Sequence, residues 1–168
     1  YRRVLEKFDL SFAEVSDGSI SLNHGKKCEY IQILSKDVTV LSEVGSKDAA
    51  KIIPPYKWIE QMQSELDAGS WKVIGEAREG GNVGLFRDSG EVRQGLVEEI
   101  LTKIPEDRII WEAPHKEQQV WFVKLLGANV NLGDKGEIGW EVIVGGGLGR
   151  TPMVGVTVRD FLPQHELI

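Results

Sequence analysis

Trp71-Lys-Val-Ile-Gly-Glu-Ala-Arg-Glu-Gly-Gly-Asn-Val-Gly84 runs from an apolar pair, Val73 and Ile74, into a charged cluster of Glu76, Arg78 and Glu79. It then enters a loop built on Gly80, Gly81 and Gly84. A brief apolar run closed by glycine reads as a strand. Charge at the end of a strand, just ahead of a loop, is where α/β enzymes keep their chemistry.

The pattern recurs along the chain. Residues 11–18 (Ser-Phe-Ala-Glu-Val-Ser-Asp-Gly) place Glu14 at the close of an apolar run, and residues 38–47 (Val-Thr-Val-Leu-Ser-Glu-Val-Gly-Ser-Lys) place Glu43 there. Residues 108–116 (Arg-Ile-Ile-Trp-Glu-Ala-Pro-His-Lys) do the same with Glu112. Each run ends in Glu followed by Val or Ala, then polar or glycine-rich sequence, then a helix-like segment. Repeated strand–loop–helix units predict a parallel sheet, because parallel neighbours need a crossover that is usually a helix.

Read in order, residues 1–7 look like the end of a helix and 12–15 like a strand. Residues 26–34 carry Cys28, Ile31 and Leu34 at helical spacing, and the β-branched run 38–44 is a strand. Pro54-Pro55 leads into a helix over 56–68, with Trp58, Ile59, Met62 and Leu66 on one face. A strand at 72–77 precedes a helix at 91–103, whose stripe is Val92, Leu96, Ile100 and Leu101. A strand at 109–112 precedes a helix at 116–126 with Val120, Val123 and Leu126 turned inward, and 128–132 is a final short strand. The expectation is an α/β fold of about five parallel strands with intervening helices.

Residues 134–168 change character and are expected to form a separate tail after a first unit at 1–133. A strand candidate at 136–144 is followed by the glycine loop Gly145-Gly146-Gly147-Leu148-Gly149-Arg150 and a helix start at Thr151-Pro152. The loop misses the dinucleotide pattern G-x-G-x-x-G, since Arg150 stands at the third glycine position.

At 168 residues the chain suffices for one ordinary domain, whereas a closed eight-stranded α/β barrel needs about 250. Its formal net charge of −6, with no basic run interleaved with aromatics, argues against nucleic acid and against anionic membranes. No signal peptide or long apolar run stands out. A single cysteine, Cys28, rules out an internal disulfide and points to a reducing, cytoplasmic setting. Tyr1 in place of Met suggests a start inside a longer protein.

Neighbouring strands lie about 4.8 Å apart, so carboxylates at their ends can converge on one cation. Interior layers of a barrel draw on alternate strands, which would put Glu43 and Glu112 in one layer with Glu76 offset by one level. Mg2+ accepts one or two carboxylates and keeps positions open for water or substrate oxygen. Zinc would want His or Cys, and His24, His115 and His165 have no metal spacing. The alternative is that some of these glutamates simply pair with Arg78 or Lys47. Lys47, just beyond Gly45, is either a proton donor, a phosphate partner or solvated surface. Arg78 suits a carboxylate or phosphate, or a structural ion pair. Of Asn129 and Asn131, one would orient a ligand and the other a backbone group.

The segments AEVSDG (13–18), LSEVGSKD (41–48), KVIGEARE (72–79), IIWEAP (109–114), QQVW (118–121) and NVNLG (129–133) together resemble the phosphosulfolactate synthase family, in the right order and spacing. The resemblance implies an incomplete (β/α)8 TIM barrel, with about three of the family's strands lying before the matched part and its final helix missing after it. It also implies Mg2+-dependent addition of sulfite to phosphoenolpyruvate, giving (2R)-phospho-3-sulfolactate. Lys47 matches the family lysine that protonates the carbon next to the new carbon–sulfur bond. Glu43, Glu76 and Glu112 match its strand-end carboxylates, and Arg78 and Asn131 are matched positions assigned to substrate anions.

Residues 138–168 (IGWEVIVGGGLGRTPMVGVTVRDFLPQHELI) resemble a segment of the nitrite/sulfite reductases. The cysteines that hold the cluster in those enzymes have no counterpart here. Two rival readings therefore stand beside the lyase: a non-catalytic truncated or chimeric barrel piece, and a piece of a reductase. An open sheet would also need its edges covered, by the tail or by an oligomer.

Overall fold

The computed structural model describes residues 2–17, 22–48, 50–134 and 141–144. Helix α1 (Arg2–Lys7) and strand β1 (Phe12–Val15) are followed by α2 (His24–Leu34), β2 (Thr39–Val44), α3 (Pro55–Asp67) and β3 (Lys72–Gly75). Then come α4 (Gln94–Leu101), β4 (Ile109–Glu112), α5 (Lys116–Leu126), β5 (Asn131–Asp134) and β6 (Glu141–Val144). The strands form one sheet in chain order, parallel from β1 through β5, with β6 antiparallel on β5. Five parallel strands alternating with helices in an open sheet make an α/β fold consistent with an incomplete (β/α)8 barrel. Among the described residues no helix is long and apolar enough to cross a membrane.

The pleat divides each strand between two environments. Val44, Val73, Ile109 and Trp111 face α3, α4 and α5, where Trp58, Met62, Leu96, Val97, Ile100 and Phe122 close the main core. A second cluster joins Leu5, Ala13, Val15, Ile31 and Val40 under α1 and α2. Leu41, Ile74 and Ile110 form a small apolar layer on the opposite face of the sheet, the face that also carries the strand-end glutamates.

Several boundaries differ from the sequence expectation for local reasons. The helix expected from 91 begins at Gln94, because Val92 forms an antiparallel bridge with Phe86. The Arg87 N–H donates to Glu91 O and the Arg93 N–H to Leu85 O, so those three residues belong to a hairpin. The last parallel strand starts at Asn131 rather than 128, since Gly127 caps α5 at φ +83° and its carbonyl accepts from the Val130 N–H. The stripe of α5 is also different. Val120 and Val123 are 41% and 43% exposed, while Gln118 and Phe122 are buried. Phe122 stacks on Trp111 at 5.0 Å and packs edge-on against Phe86 and Trp121, and offset and edge-to-face aromatic contacts dominate such a core. On α2 the buried positions are Lys27, Ile31 and Leu34, with Cys28 only half-buried.

Of the tail, β6 matches part of the strand expected at 136–144. The glycine loop, the expected helix start and the rest of the stretch through residue 168 lie outside the described residues.

Candidate active site

The ladder register decides which strand-end groups meet. Gly75 pairs with Trp111, which sets Glu76 level with Glu112, while Glu43 pairs with Ile74, two residues lower. The register therefore groups Glu76 with Glu112, rather than Glu43 with Glu112. Glu14 does not complete the series: it pairs with Leu41, and Ser16 is the residue that reaches Glu43. The Ser16 hydroxyl donates to Glu43 Oε1 at 2.7 Å.

Despite the offset, Glu43, Glu76 and Glu112 are all buried, and one carboxylate oxygen from each lies within 4.8 Å of the others. Backbone amides at the strand ends aim two of them: the Ala77 N–H donates to Glu112 Oε2 at 2.7 Å and the Arg78 N–H to Glu76 Oε1 at 2.6 Å. Lys47 spans the other side, its Nζ 3.5 Å from Glu43 Oε1 and 3.4 Å from Glu76 Oε2. Three buried carboxylates with convergent oxygens form a donor set that could hold a cation. The donors are all carboxylate oxygens, the ligand type that a hard divalent ion such as Mg2+ takes.

Arg78 sits at the rim, half-exposed, with a left-handed φ of +59°. Its Nη1 donates to the Lys47 carbonyl at 3.4 Å, and its Nε is 3.9 Å from Glu79. The structure therefore brings Glu43, Lys47, Glu76, Arg78 and Glu112 to one end of the sheet. It does not bring Asn131 there. The Asn131 side-chain amide donates to Ile109 O at 3.1 Å and Asp107 O at 3.5 Å, at the start of β4, the far end of that strand from Glu112. Asn129 is exposed in the turn after α5.

Close packing explains the glycines around the ring. A Cβ on Gly84 (φ +60°) would lie 2.0 Å from Glu76 O, and one on Gly45 would lie 2.4 Å from Glu76 Cβ and 2.8 Å from the Trp58 ring. The 80–84 loop thus folds back directly onto the strand end. It is tied down from α5 by Gln118, whose amide donates to Gly81 O at 2.8 Å and Gly90 O at 2.9 Å. His115 is exposed and caps α5, with Nε2 3.0 Å from Gly80 O, so that nitrogen carries the proton. Arg93 Nη1 donates to Gly84 O at 2.9 Å; burial, with Arg87 nearby, lowers its pKa.

Behind the ring lies a buried polar group that the apolar-stripe reading passed over. Lys27, only 2% exposed, places Nζ 2.9 Å from Glu65 Oε1 and 3.0 Å from Asp17 Oδ1, and donates to the Glu43 carbonyl. It thereby joins α2, α3, the loop after β1 and the strand end that carries Glu43. Burial opposes the ammonium, but Glu65 and Asp17 outweigh it and raise its pKa. Burial likewise raises the Glu65 carboxyl, only partly offset by Lys27 and Ser42, because one ammonium is shared among several acceptors. His24, 3.6 Å from Glu65, is lowered by burial and by the Lys27 charge, and Cys28 is raised by burial and by Glu65. The sequence signal was present: Lys27 stands four residues before Ile31, and Glu65 three after Met62, each on the stripe of its helix.

The family model described as (2R)-phospho-3-sulfolactate synthase (ComA) matches residues 1–137. The chain is 39% identical over 135 residues to the phosphosulfolactate synthase of Bacillus subtilis (strain 168), covering 79% of this chain and 54% of that protein. It is 38% identical over 125 residues to that of Methanothermobacter thermautotrophicus, covering 72% and 48%. It is 36% identical over 132 residues to that of Methanocaldococcus jannaschii, covering 76% and 52%. The chain spans about half the length of the curated relatives it matches.

Proposed function

Because the chain belongs to the (2R)-phospho-3-sulfolactate synthase family, we propose that it carries the site for Mg2+-dependent addition of sulfite to phosphoenolpyruvate, giving (2R)-phospho-3-sulfolactate. The observation that carries this reading is the convergence of Glu43, Glu76 and Glu112 within 4.8 Å, with Lys47 beside them. Those three carboxylates would hold the metal, their oxygen donors being the right chemistry for it. When bound, Mg2+ supplies Lewis-acid stabilisation of negative charge on a substrate carboxylate.

The remaining steps belong to the chain's own groups. The sulfite sulfur pair forms a bond to the terminal carbon of phosphoenolpyruvate, and the π pair of the double bond moves toward the adjacent carbon and its carboxylate. Lys47 gives its Nζ proton to that adjacent carbon, which completes the addition with no leaving group. Arg78, at the rim and tied to the Lys47 carbonyl, presents a guanidinium suited to a substrate anion. Ser16 and the Ala77 and Arg78 amides hold the carboxylates in register. The lone, half-buried Cys28 suits a reducing compartment.

The test is to incubate the folded chain with sulfite, phosphoenolpyruvate and Mg2+ and follow product by phosphorus NMR. Turnover that disappears in Lys47→Ala supports the reading; no product from the folded wild-type chain overturns catalysis by it. A second, non-catalytic reading is favoured by β1, an edge strand of the described sheet with exposed Phe12, Tyr30 and Ile33 around it, a surface that a second copy could cover. An inactive chain that gains mass by sedimentation would support that alternative.

A further inference from the structure

Lys47 holds a place that the proposed cation would contest. Its Nζ lies 3.5 Å from Glu43 Oε1 and 3.4 Å from Glu76 Oε2, so the ammonium is centred between two carboxylates and locked to neither. Tight charge-assisted pairs sit nearer about 2.8 Å. The two glutamates are almost solvent-free, at 3% and 1% side-chain exposure, whereas Lys47 keeps 28% and has a path outward. The Lys47 carbonyl accepts a long, exposed contact from Arg78 Nη1 at 3.4 Å, and the flexible four-carbon side chain beyond it is able to swing.

Resting on the function proposed above, we infer that Lys47 is a resident counter-ion between Glu43 and Glu76 and is displaced from them when a divalent cation loads. Both cations need the same two carboxylates, and a dication and an ammonium within a few ångströms repel in a weakly screened site. Loading therefore frees the ammonium that donates the proton. The site becomes competent in a fixed order, cation first and proton donor second.

The test uses Mn2+ as the probe, with affinity read by titration calorimetry and by loss of the free-ion paramagnetic signal, for the wild-type chain, Lys47→Met and Lys47→Arg. Removing the competing charge is expected to tighten Mn2+ binding about tenfold in Lys47→Met. Lys47→Arg, which keeps the charge, should stay at or below the wild-type affinity. In parallel, acetylation of Lys47 followed by mass spectrometry should speed up on Mn2+ addition, while Lys103 and Lys124 react at unchanged rates. Equal Mn2+ affinity in wild type and Lys47→Met, or equal tightening in both variants, overturns displacement but leaves the metal site standing. Mn2+ binding by none of the three overturns both.

Discussion

Substituting Lys27 by methionine removes a charge from a place that holds almost no water. Lys27 is 2% exposed and Glu65 1%, and the pair is separated by 2.9 Å. Methionine preserves most of the packing but leaves the Glu65 carboxylate buried without its cation and deprives the Glu43 carbonyl of a donor. Asp17 is part-exposed and regains water, so it adds little. Breaking a buried ion pair from one side costs about 3–5 kcal/mol. With a urea dependence of about 2 kcal/mol/M for a chain of this size, the unfolding midpoint should fall by about 1.5–2.5 M. The assay is urea unfolding at pH 7 followed by tryptophan fluorescence and circular dichroism together. Lys27→Met/Glu65→Leu should recover a large part of the loss, since it removes the stranded charge as well. A midpoint shift under about 0.5 M, or a double variant less stable than Lys27→Met alone, would refute the reasoning, because Glu65 would then not depend on Lys27 for its burial.

Gly84→Ala should lose about 3 kcal/mol or more of stability, because the new Cβ lies 2.0 Å from Glu76 O at a left-handed φ; a urea midpoint matching wild type would contradict that placement. His24 has a depressed folded pKa, so its neutral form contributes stability that is present above pH 6.5 and lost as pH falls through the folded value. Urea midpoints measured at pH 7.5 and 5.5 should therefore fall further in wild type than in His24→Asn, and parallel falls would count against the burial of that ring. Mg2+ or Mn2+ at about a hundred times its dissociation constant should stabilise the folded chain by about 2.7 kcal/mol. Glu112→Gln should abolish most of that gain, and a gain kept intact in the variant would exclude Glu112 from the cation's ligands.

The strand–Glu–loop repeat at residues 38–47, 72–84 and 108–116 was enough to specify a parallel α/β sheet, because apolar runs closed by charge and followed by amphipathic helices have few other ways to bury themselves. It also marked Glu43, Glu76, Glu112, Lys47 and Arg78 as candidates, since each sits where a strand meets a loop. Their assembly was another matter. Which glutamates share a level depends on register across neighbouring strands, a property of backbone pairing between segments about thirty residues apart that no local pattern carries. The same limit applies to Glu14, which the repeat treats as equivalent to the others and the ladder sets two residues short.

Periodicity misled most where a larger contact overruled it. On α5, aromatic stacking of Phe122 on Trp111 set the helix rotation and turned Val120 and Val123 to solvent. Asn131 shows the same dependence on context, its amide spent on carbonyls at the start of β4 instead of at the carboxylate ring. Local sequence, acting through propensity and pattern, determined which elements form and which of their ends carry charge. Only the tertiary structure decided that Lys27 would pair with Glu65 inside the core, and that three glutamates from three strands would share one small volume, because both depend on distances between segments far apart in the chain.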